Sequence, residues 1–347
     1  MKNKCEKQEY ISLLNVLSAF AVVVLHTNNC FWTFSTERYW MTANIIESVM
    51  YFAVPVFFMI TGATLINYHE RYSTKEYFRK RFRKAVFPFF IWSLIGIILA
   101  TLRSGGSLSD LNIVSILNKI INTSTSVYWF FVPLFCIYLA IPLFAAVPVA
   151  KRKTIFSYLA VVCFVMNSLL PFLFQLLPYD ITFNSNWNIG VGREYLLYVL
   201  VGYLLHNYEI KKPARYAIYA LALTGLIIHM CGTYVTSMEA GFLIQQYKGY
   251  CNVPATLYSV GIFLLFRQIG PSLMKLKAIN WLTSFLQPYT FGIYLLHWHL
   301  LMYIVNALQL NIYSIVYRLG FPFVLIALCV MILFVLRKIP GVRRIAP

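Results

Sequence analysis

Long apolar runs constrain this chain more than any other feature of its sequence. Hydrophobic residues make up 60% of the chain and charged residues 12%, whereas a soluble domain is closer to half apolar and a quarter charged. Runs of about twenty apolar residues are long enough, as helices, to cross a hydrocarbon layer roughly 30 Å thick. The sequence therefore predicts an all-α, polytopic bundle of transmembrane helices in the cell membrane.

About ten such spans are present. The first lacks a small-residue cleavage pattern, so we interpret it as a retained helix rather than a signal peptide. The expected spans are 11–29, 43–67, 86–102, 127–147, 154–173, 191–206, 215–233, 252–267, 288–308 and 315–336. No repeat, linker or low-complexity stretch separates them, which indicates one membrane domain over residues 1–347.

The distribution of the basic residues predicts how these spans are oriented across the membrane. The chain carries 29 Lys and Arg residues against 11 Asp and Glu residues, for a formal net charge of +18. With a cytoplasmic N-terminus, most of the basic residues fall in cytoplasmic loops, and the densest cluster lies at 79–84. This asymmetry is what the positive-inside rule describes, so both termini are expected in the cytoplasm. Topology and anionic membrane lipids account for the charge, and no nucleic-acid partner is predicted.

Two polar side chains interrupt the first apolar run, Asn15 and His26. Ionisable groups within membrane spans are costly, and each is a functional candidate for that reason. Eleven residues are almost three turns of an α-helix, so Asn15 and His26 share one face and lie roughly 16 Å apart along the axis. Taken alone, a histidine near a helix end is more often interfacial than catalytic.

Other polar residues of the spans have plainer interpretations. Glu47 is expected to be an interfacial carboxylate or the partner of a nearby cation. His297 and His299 lie near the middle of the ninth span, but they are two residues apart and point to different faces of a helix. The sequence has no HExxH, Walker or GxSxG motif, so neither a metal nor a tightly bound cofactor is predicted.

Six short elements, in order along nearly the whole chain, resemble those of the acyltransferase 3 family of integral membrane acyltransferases. They are YISLLNVLSAFAVVVLH (10–26), VPVFFMITGATLI (54–66), KRFRKAVFPFFIW (80–92), YWFFVPLFCIYLAIP (128–142), YVLVGYLL (198–205) and FGIYLLH (291–297). The family's first helix carries an Arg, ten residues and a His, and His26 stands in the histidine position. The chain departs from the family pattern at three positions: Asn15 replaces the Arg, Ser12 an acid and Val127 a His.

The resemblance implies an enzyme that moves an acyl group, acetyl or succinyl, from cytoplasmic acyl-CoA to a hydroxyl of a bacterial cell-envelope or exported carbohydrate. Acyl-CoA is then a co-substrate. Arg81 and Lys84 occupy the two basic positions of the third element and are expected to bind the anionic CoA, although topology alone also explains them. His26 is the candidate general base, because an imidazole accepts a proton from a hydroxyl near neutral pH.

Three further residues complete the expected substrate-binding set. Asn15 is able to orient or solvate a ligand, but it carries no charge. Trp129 either stacks on a sugar or belongs to the aromatic belt at the membrane interface. His297 contributes a second imidazole from the ninth span.

Two other functions fit the same sequence. A ten-helix bundle with a polar stripe also suits a transporter of polysaccharide or lipid-linked glycan, which would need no acyl-CoA. The uncharged Asn15 also suits a catalytically inactive membrane sensor or anchor. Acyl transfer is favoured because His26 and the basic element at 80–92 occur together with the other family elements.

Overall fold

The computed structural model describes residues 2–177, 183–184, 195–342 and 345, except for the side chains of residues 2–8 and 110. Helices account for 82% of the residues, and the described part of the chain has no strand. Nine helical stretches within these ranges are long and apolar enough to cross a membrane. The all-α class and the polytopic architecture expected from the apolar runs are confirmed.

Sixteen α-helices follow one another along the described chain. They are α1 Lys2–Thr27, α2 Arg38–Met50, α3 Ala53–Leu65, α4 Thr74–Arg81, α5 Phe87–Arg103, α6 Ile113–Ile121, α7 Phe131–Ala146, α8 Val149–Phe164, α9 Leu170–Leu176, α10 Leu196–Asn207, α11 Lys212–Ile227, α12 Thr233–Ala240, α13 Val253–Leu273, α14 Lys277–Leu286, α15 Thr290–Leu308 and α16 Ile315–Lys338. Three π-helical turns join neighbouring helices into longer rods, at Phe82–Val86, Val165–Leu169 and Ile228–Gly232.

The expected spans correspond to these helices with two differences. The second span consists of two helices, α2 and α3, which meet at Tyr51 and Phe52. The span expected at 191–206 is represented by α10, a helix of 12 residues, and residues 191–194 lie outside the described part of the chain. Because about twenty residues are needed to cross a membrane, α10 is not one of the nine long helical stretches.

α1 lies inside the bundle. It packs against α3, α13, α15 and α16, and its side chains Leu14, Ala21 and Val23 are buried. The polar residues of α1 therefore meet other helices rather than lipid.

The bundle has two ends, which we name by their residues. α1 and α15 run in the same direction, since Asn15 contacts Thr290 and His26 contacts His297. The face where α1 ends is the His26 end, and α5 and α15 run toward the same face. The opposite face, where α3 ends and α4 begins, is the Arg81 end. Which end is cytoplasmic stays a prediction.

Two glycines set the closest helix crossing in the fold. A Cβ on Gly62 of α3 would lie 1.8 Å from the carbonyl oxygen of Val199, and one on Gly202 of α10 would lie 2.1 Å from that of Met59. Small residues allow the backbones of membrane helices to approach closely. The short α10 is therefore held directly against α3, which in turn packs on α1.

Candidate functional site

α15 contacts both Asn15 and His26 of α1. Asn15 Nδ2 donates to Thr290 Oγ1 at 2.8 Å, and His26 Nδ1 lies 2.9 Å from His297 Nε2. Thr290 Oγ1 donates in turn to the carbonyl of Gln287 at 3.0 Å. The polar stripe of α1 thus faces a neighbouring helix, with one side-chain hydrogen bond near each end of the stripe.

The hydrogen-bond pattern assigns the tautomers of the two histidines. His297 Nδ1 lies 2.9 Å from the carbonyl oxygen of Ile293, and because a carbonyl only accepts, this nitrogen carries the hydrogen. In a neutral imidazole the other nitrogen, Nε2, is then an acceptor, so His26 Nδ1 donates to it. The remaining nitrogen of His26, Nε2, keeps its lone pair. His26 therefore has one nitrogen, Nε2, that can act as a base, while its other nitrogen, Nδ1, holds the ring in place through the hydrogen bond to His297.

The two imidazoles differ in exposure. The His26 ring stacks on His297 with centroids 5.0 Å apart and meets the Trp298 ring edge-on at 5.5 Å. His297 is fully buried, whereas His26 is half-buried. On the same helix, the Oγ of the buried Ser18 has no hydrogen-bond partner among the described residues. His26 therefore keeps part of its surface exposed, while the His297 ring is enclosed.

A basic cavity of about 1000 Å³ opens at the Arg81 end. Its lining includes five cations, Arg79, Lys80, Arg81, Arg83 and Lys84. They come from the last turn of α4 and from the π-helical turn that follows it, and π-helical turns are frequent at functional sites. Glu76 is the one carboxylate among the described lining residues, and it pairs with Arg79 and Lys80 at 3.8 and 3.9 Å.

Arg81 and Lys84 meet this basic cavity in different ways. The guanidinium carbon of Arg81 lies 5.9 and 5.6 Å from the ring centroids of Tyr77 and Tyr138. Its Nε is buried and has no hydrogen-bond partner in the described part of the chain, and such an unpaired donor calls for an explanation. Lys84 is exposed. Arg81 is therefore held in place by aromatic contacts, and Lys84 is free to reorient.

Trp129 lies in a cluster of aromatic side chains. Its ring stacks on Tyr250 with centroids 5.6 Å apart and faces Tyr195 at 6.0 Å, and Tyr250 stacks on Tyr51 at 4.2 Å. Among the described residues, no ring contact joins Trp129 to His26. The structure thus brings His26 and His297 into direct contact, and it links Trp129 to His297 through two intervening rings, those of Phe130 and Tyr294.

Glu47 pairs with Lys248, a contact that the sequence analysis did not identify. Lys248 Nζ lies 2.8 Å from Glu47 Oε1, and the two side chains are 1% and 4% exposed. The amine also lies 4.1 Å from the ring centroid of Tyr51. Burial lowers the pKa of Lys248, although the neighbouring Glu47 carboxylate raises it. The ion pair anchors the connection between α12 and α13 to α2.

Sequence reasoning also missed Thr290, for which a signal existed. Thr290 precedes His297 by seven residues, or about two helical turns, so the two share a face of α15. For Lys248 there was no such signal, because it lies 201 residues from Glu47 in a connecting segment. The described residues hold no group of three His, Cys, Asp or Glu side chains placed for a metal ion.

Comparison with known proteins gives the class of this site. A family model described as an acyltransferase domain matches residues 8–336, essentially the whole chain. The fold and the match define an integral membrane acyltransferase. The chain belongs to the acyltransferase 3 family, and the resemblance carried by the six sequence elements is confirmed. No curated protein and no solved structure matches the chain.

Proposed function

We propose that this membrane acyltransferase moves an acetyl or succinyl group from acyl-CoA at the Arg81 end to a carbohydrate hydroxyl at the His26 end, with His26 as general base. The proposal depends most on the 2.9 Å contact between His26 Nδ1 and His297 Nε2, which leaves Nε2 of His26 free to accept a proton. The protein then resides in a bacterial plasma membrane, with the Arg81 end in the cytoplasm and the acceptor on the cell-envelope side.

The reaction is a direct acyl transfer. Nε2 of His26 removes the proton of the acceptor hydroxyl while the hydroxyl oxygen attacks the thioester carbonyl carbon. An ester C–O bond forms, the C–S bond breaks, and the CoA thiolate leaves and takes the proton from His26. Positioned general-base catalysis contributes roughly 10²–10⁴-fold to such a step. His297 holds the imidazole in the required tautomer, so it is a positioning residue in this mechanism.

The basic cavity at the Arg81 end supports acyl-CoA as the donor. Its cations suit the phosphates of CoA, and the unpaired Nε of Arg81 is one donor for them. CoA is a co-substrate that binds and leaves, and the reaction needs no tightly bound cofactor. Asn15 and His26 lie roughly 16 Å apart along α1, so the arm of bound CoA carries the intact thioester along this stretch to the hydroxyl at His26, and the Asn15 amide orients it on that path. Trp129 offers a ring face for a sugar.

His26 is tested by acyl transfer to envelope glycan in lipid nanodiscs, with the ester measured by mass spectrometry. His26→Ala abolishes transfer while acyl-CoA still binds, and His26→Gln fails as well, because an amide has no basic nitrogen at neutral pH. His69→Ala is the matched control, since it removes an exposed histidine at the Arg81 end. Turnover near the wild-type rate by His26→Ala would remove His26 from the mechanism.

Asn15 and the transport alternative are tested in the same preparation. Asn15→Ala leaves a reduced rate, because this amide orients a ligand and is not a base, and Asn15→Arg, which restores the family residue, is tolerated. Liposomes that contain the protein, glycan and no acyl-CoA test transport. Movement of unmodified glycan across these liposomes, without any ester in the presence of acyl-CoA, would favour a transporter instead.

A further inference from the structure

A second cavity, of about 470 Å³, lies at the His26 end between α5, α6 and α15. Its polar lining consists of Arg103, Lys119, Ser124, Thr125 and His299, and we call it the Arg103 cavity. It shares no lining residue with the basic cavity at the Arg81 end. The proposed donor site therefore does not account for it.

Two cations converge on the Arg103 cavity. Arg103 ends α5, and Lys119 lies in the last turn of α6. The helix dipole explains one cation at the end of one helix, but not why two helices supply theirs to the same cavity. No carboxylate belongs to the described lining, and the ion pairs of the described residues involve neither Arg103 nor Lys119. The cavity is therefore positively charged and open to an anion.

Hydrogen bonds fix one wall of the Arg103 cavity. Tyr128 Oη donates to the carbonyl of Leu295 at 2.7 Å and lies 3.0 Å from His299 Nε2, so it accepts from that nitrogen. A Cβ on Gly96 would lie 2.6 Å from His299 Cε1 and 2.8 Å from Thr125 Oγ1. The absence of a side chain at Gly96 thus lets the imidazole and the Thr125 hydroxyl lie side by side, and both are polar groups able to contact a ligand.

The remaining lining of the Arg103 cavity is aliphatic or aromatic. Leu99, Leu102 and Tyr303 belong to it, and all three are exposed on the surface of the bundle. In a membrane protein an exposed apolar surface of a spanning helix faces lipid. A ligand that places an anionic group against Arg103 and Lys119 therefore has hydrocarbon-compatible surface beside it, which favours an amphiphile over a water-soluble anion.

We propose that the Arg103 cavity binds the phosphate group of a membrane-borne amphiphile. Arg103 and Lys119 contact the phosphate oxygens, in keeping with the preference of guanidinium and ammonium groups for phosphate. The Ser124 and Thr125 hydroxyls donate to the same group, and the hydrocarbon chain lies along the exposed leucines of α5. Trp298 also lines the cavity, and its ring centroid lies 5.5 Å from that of His26, so the indole separates the bound head group from the imidazole. This binding does not require acyl transfer.

Native mass spectrometry of the full-length protein in detergent tests the proposal. The probes are dioleoyl phosphatidic acid, dioleoylglycerol, oleate and glycerol 1-phosphate. Phosphatidic acid is retained, and Arg103→Gln or Lys119→Gln weakens its binding about tenfold, as expected for the loss of one charged hydrogen bond. Ser124→Trp fills the cavity without removing a cation and also weakens binding. Arg38→Gln is the matched control, because Arg38 is an exposed cation at the same end and does not line the cavity.

Each probe excludes one alternative. Unchanged retention of phosphatidic acid by the Arg103→Gln and Lys119→Gln double variant would overturn the site, as would an equal loss in Arg38→Gln. Equal retention of dioleoylglycerol or oleate would show that phosphate is not what is recognised. If glycerol 1-phosphate displaced phosphatidic acid at equal concentration, the ligand would not be membrane-borne. Loss of binding confined to the three cavity variants, for phosphatidic acid alone, supports the proposal.

Discussion

Two groups of cations, one at each end of the bundle, lie in opposite settings. At the Arg81 end, Arg83 and Lys84 are exposed around a cavity of about 1000 Å³. At the His26 end, Lys248 is buried against Glu47 at 2.8 Å, and aromatic rings of Phe31 and Tyr51 lie 4.3 and 4.1 Å from its amine. One set of charges faces open space, and the other is enclosed by its partners.

This difference separates cations that are able to bind a ligand from cations that stabilise the fold. An exposed cation exchanges water for a ligand anion at a small desolvation cost, whereas a buried ion pair has already lost its water and is committed to its partner. The difference therefore supports the proposed donor binding at the basic cavity, and it gives Lys248 an anchoring role, in which it holds the connection between α12 and α13 on α2. Cysteine labelling and substitutions at both ends of the bundle test this division.

The first prediction is that the two ends face opposite sides of the membrane. In a variant without native cysteines, Asn122→Cys at the His26 end reacts with an impermeant maleimide in intact cells. Lys153→Cys, near the Arg81 end, reacts only after permeabilisation, because the basic loops stay in the cytoplasm. Both positions are exposed. Labelling of Lys153→Cys in intact cells, with Asn122→Cys protected, would reverse the orientation and exclude a cytoplasmic donor cavity.

The second prediction concerns the enclosed charges. Lys248→Ala leaves the Glu47 carboxylate buried without its cation, and such a loss lowers the free energy of unfolding by about 3–5 kcal/mol. Replacing both members, by Glu47→Leu with Lys248→Met, restores much of that stability, since no unpaired charge remains. Thermal unfolding in detergent measures both. Lys211→Ala is the exposed-cation control, and a Lys248→Ala variant no less stable than this control would contradict an anchoring role.

Much of the fold was predictable, because it depends on local patterns. The apolar runs predicted the helices closely, and the break between α2 and α3 near Pro55 changed a boundary but not the class. The spacing of Asn15 and His26 predicted that both side chains lie on one face of α1, and both contact α15. Helical periodicity depends only on the spacing of residues within one segment, so the sequence alone reveals it.

The partners on other helices were not predictable. His297 was expected to contribute an imidazole, but its contact with His26 spans 271 residues, and no local pattern encodes such a pairing. The same holds for Glu47 and Lys248. His299, two residues from His297, was expected on another face and lines the Arg103 cavity instead of meeting His26. The Arg103 cavity forms where α5, α6 and α15 meet, and the relative positions of these three helices cannot be predicted from a single sequence.

The third prediction concerns the open charges at the Arg81 end. Arg81→Ala and Lys84→Ala each raise the KM for acyl-CoA about tenfold or more, in line with the loss of one charged hydrogen bond to phosphate, and leave kcat nearly unchanged at saturating donor. Arg81→Ala has the larger effect, because its guanidinium is already positioned by Tyr77 and Tyr138. Initial rates of CoA release at varied acyl-CoA measure this.

Lys211→Ala is the matched control for these two variants. Lys211 is exposed, is the N-cap residue that precedes α11, and does not line the basic cavity. Its loss removes one positive charge from the same end without removing a proposed contact. An equal rise in KM for Lys211→Ala would mean that overall charge attracts the donor, and an unchanged KM in both Arg81→Ala and Lys84→Ala would leave the cluster with a topological role alone.

The smallest expected effect comes from an ion pair of the same type in an exposed setting. Arg267 lies 3.0 Å from Glu209, close to the Lys248–Glu47 distance, but the Glu209 side chain is 89% exposed. Glu209→Gln therefore lowers the free energy of unfolding by less than about 1 kcal/mol, because a solvated pair gains little from its contact. The Arg267 guanidinium keeps its hydrogen bond to the carbonyl of Tyr208 at 2.7 Å. Thermal unfolding of Glu209→Gln and Lys248→Ala in parallel gives the comparison. Equal losses of stability in the two variants would show that burial does not determine how much each ion pair contributes.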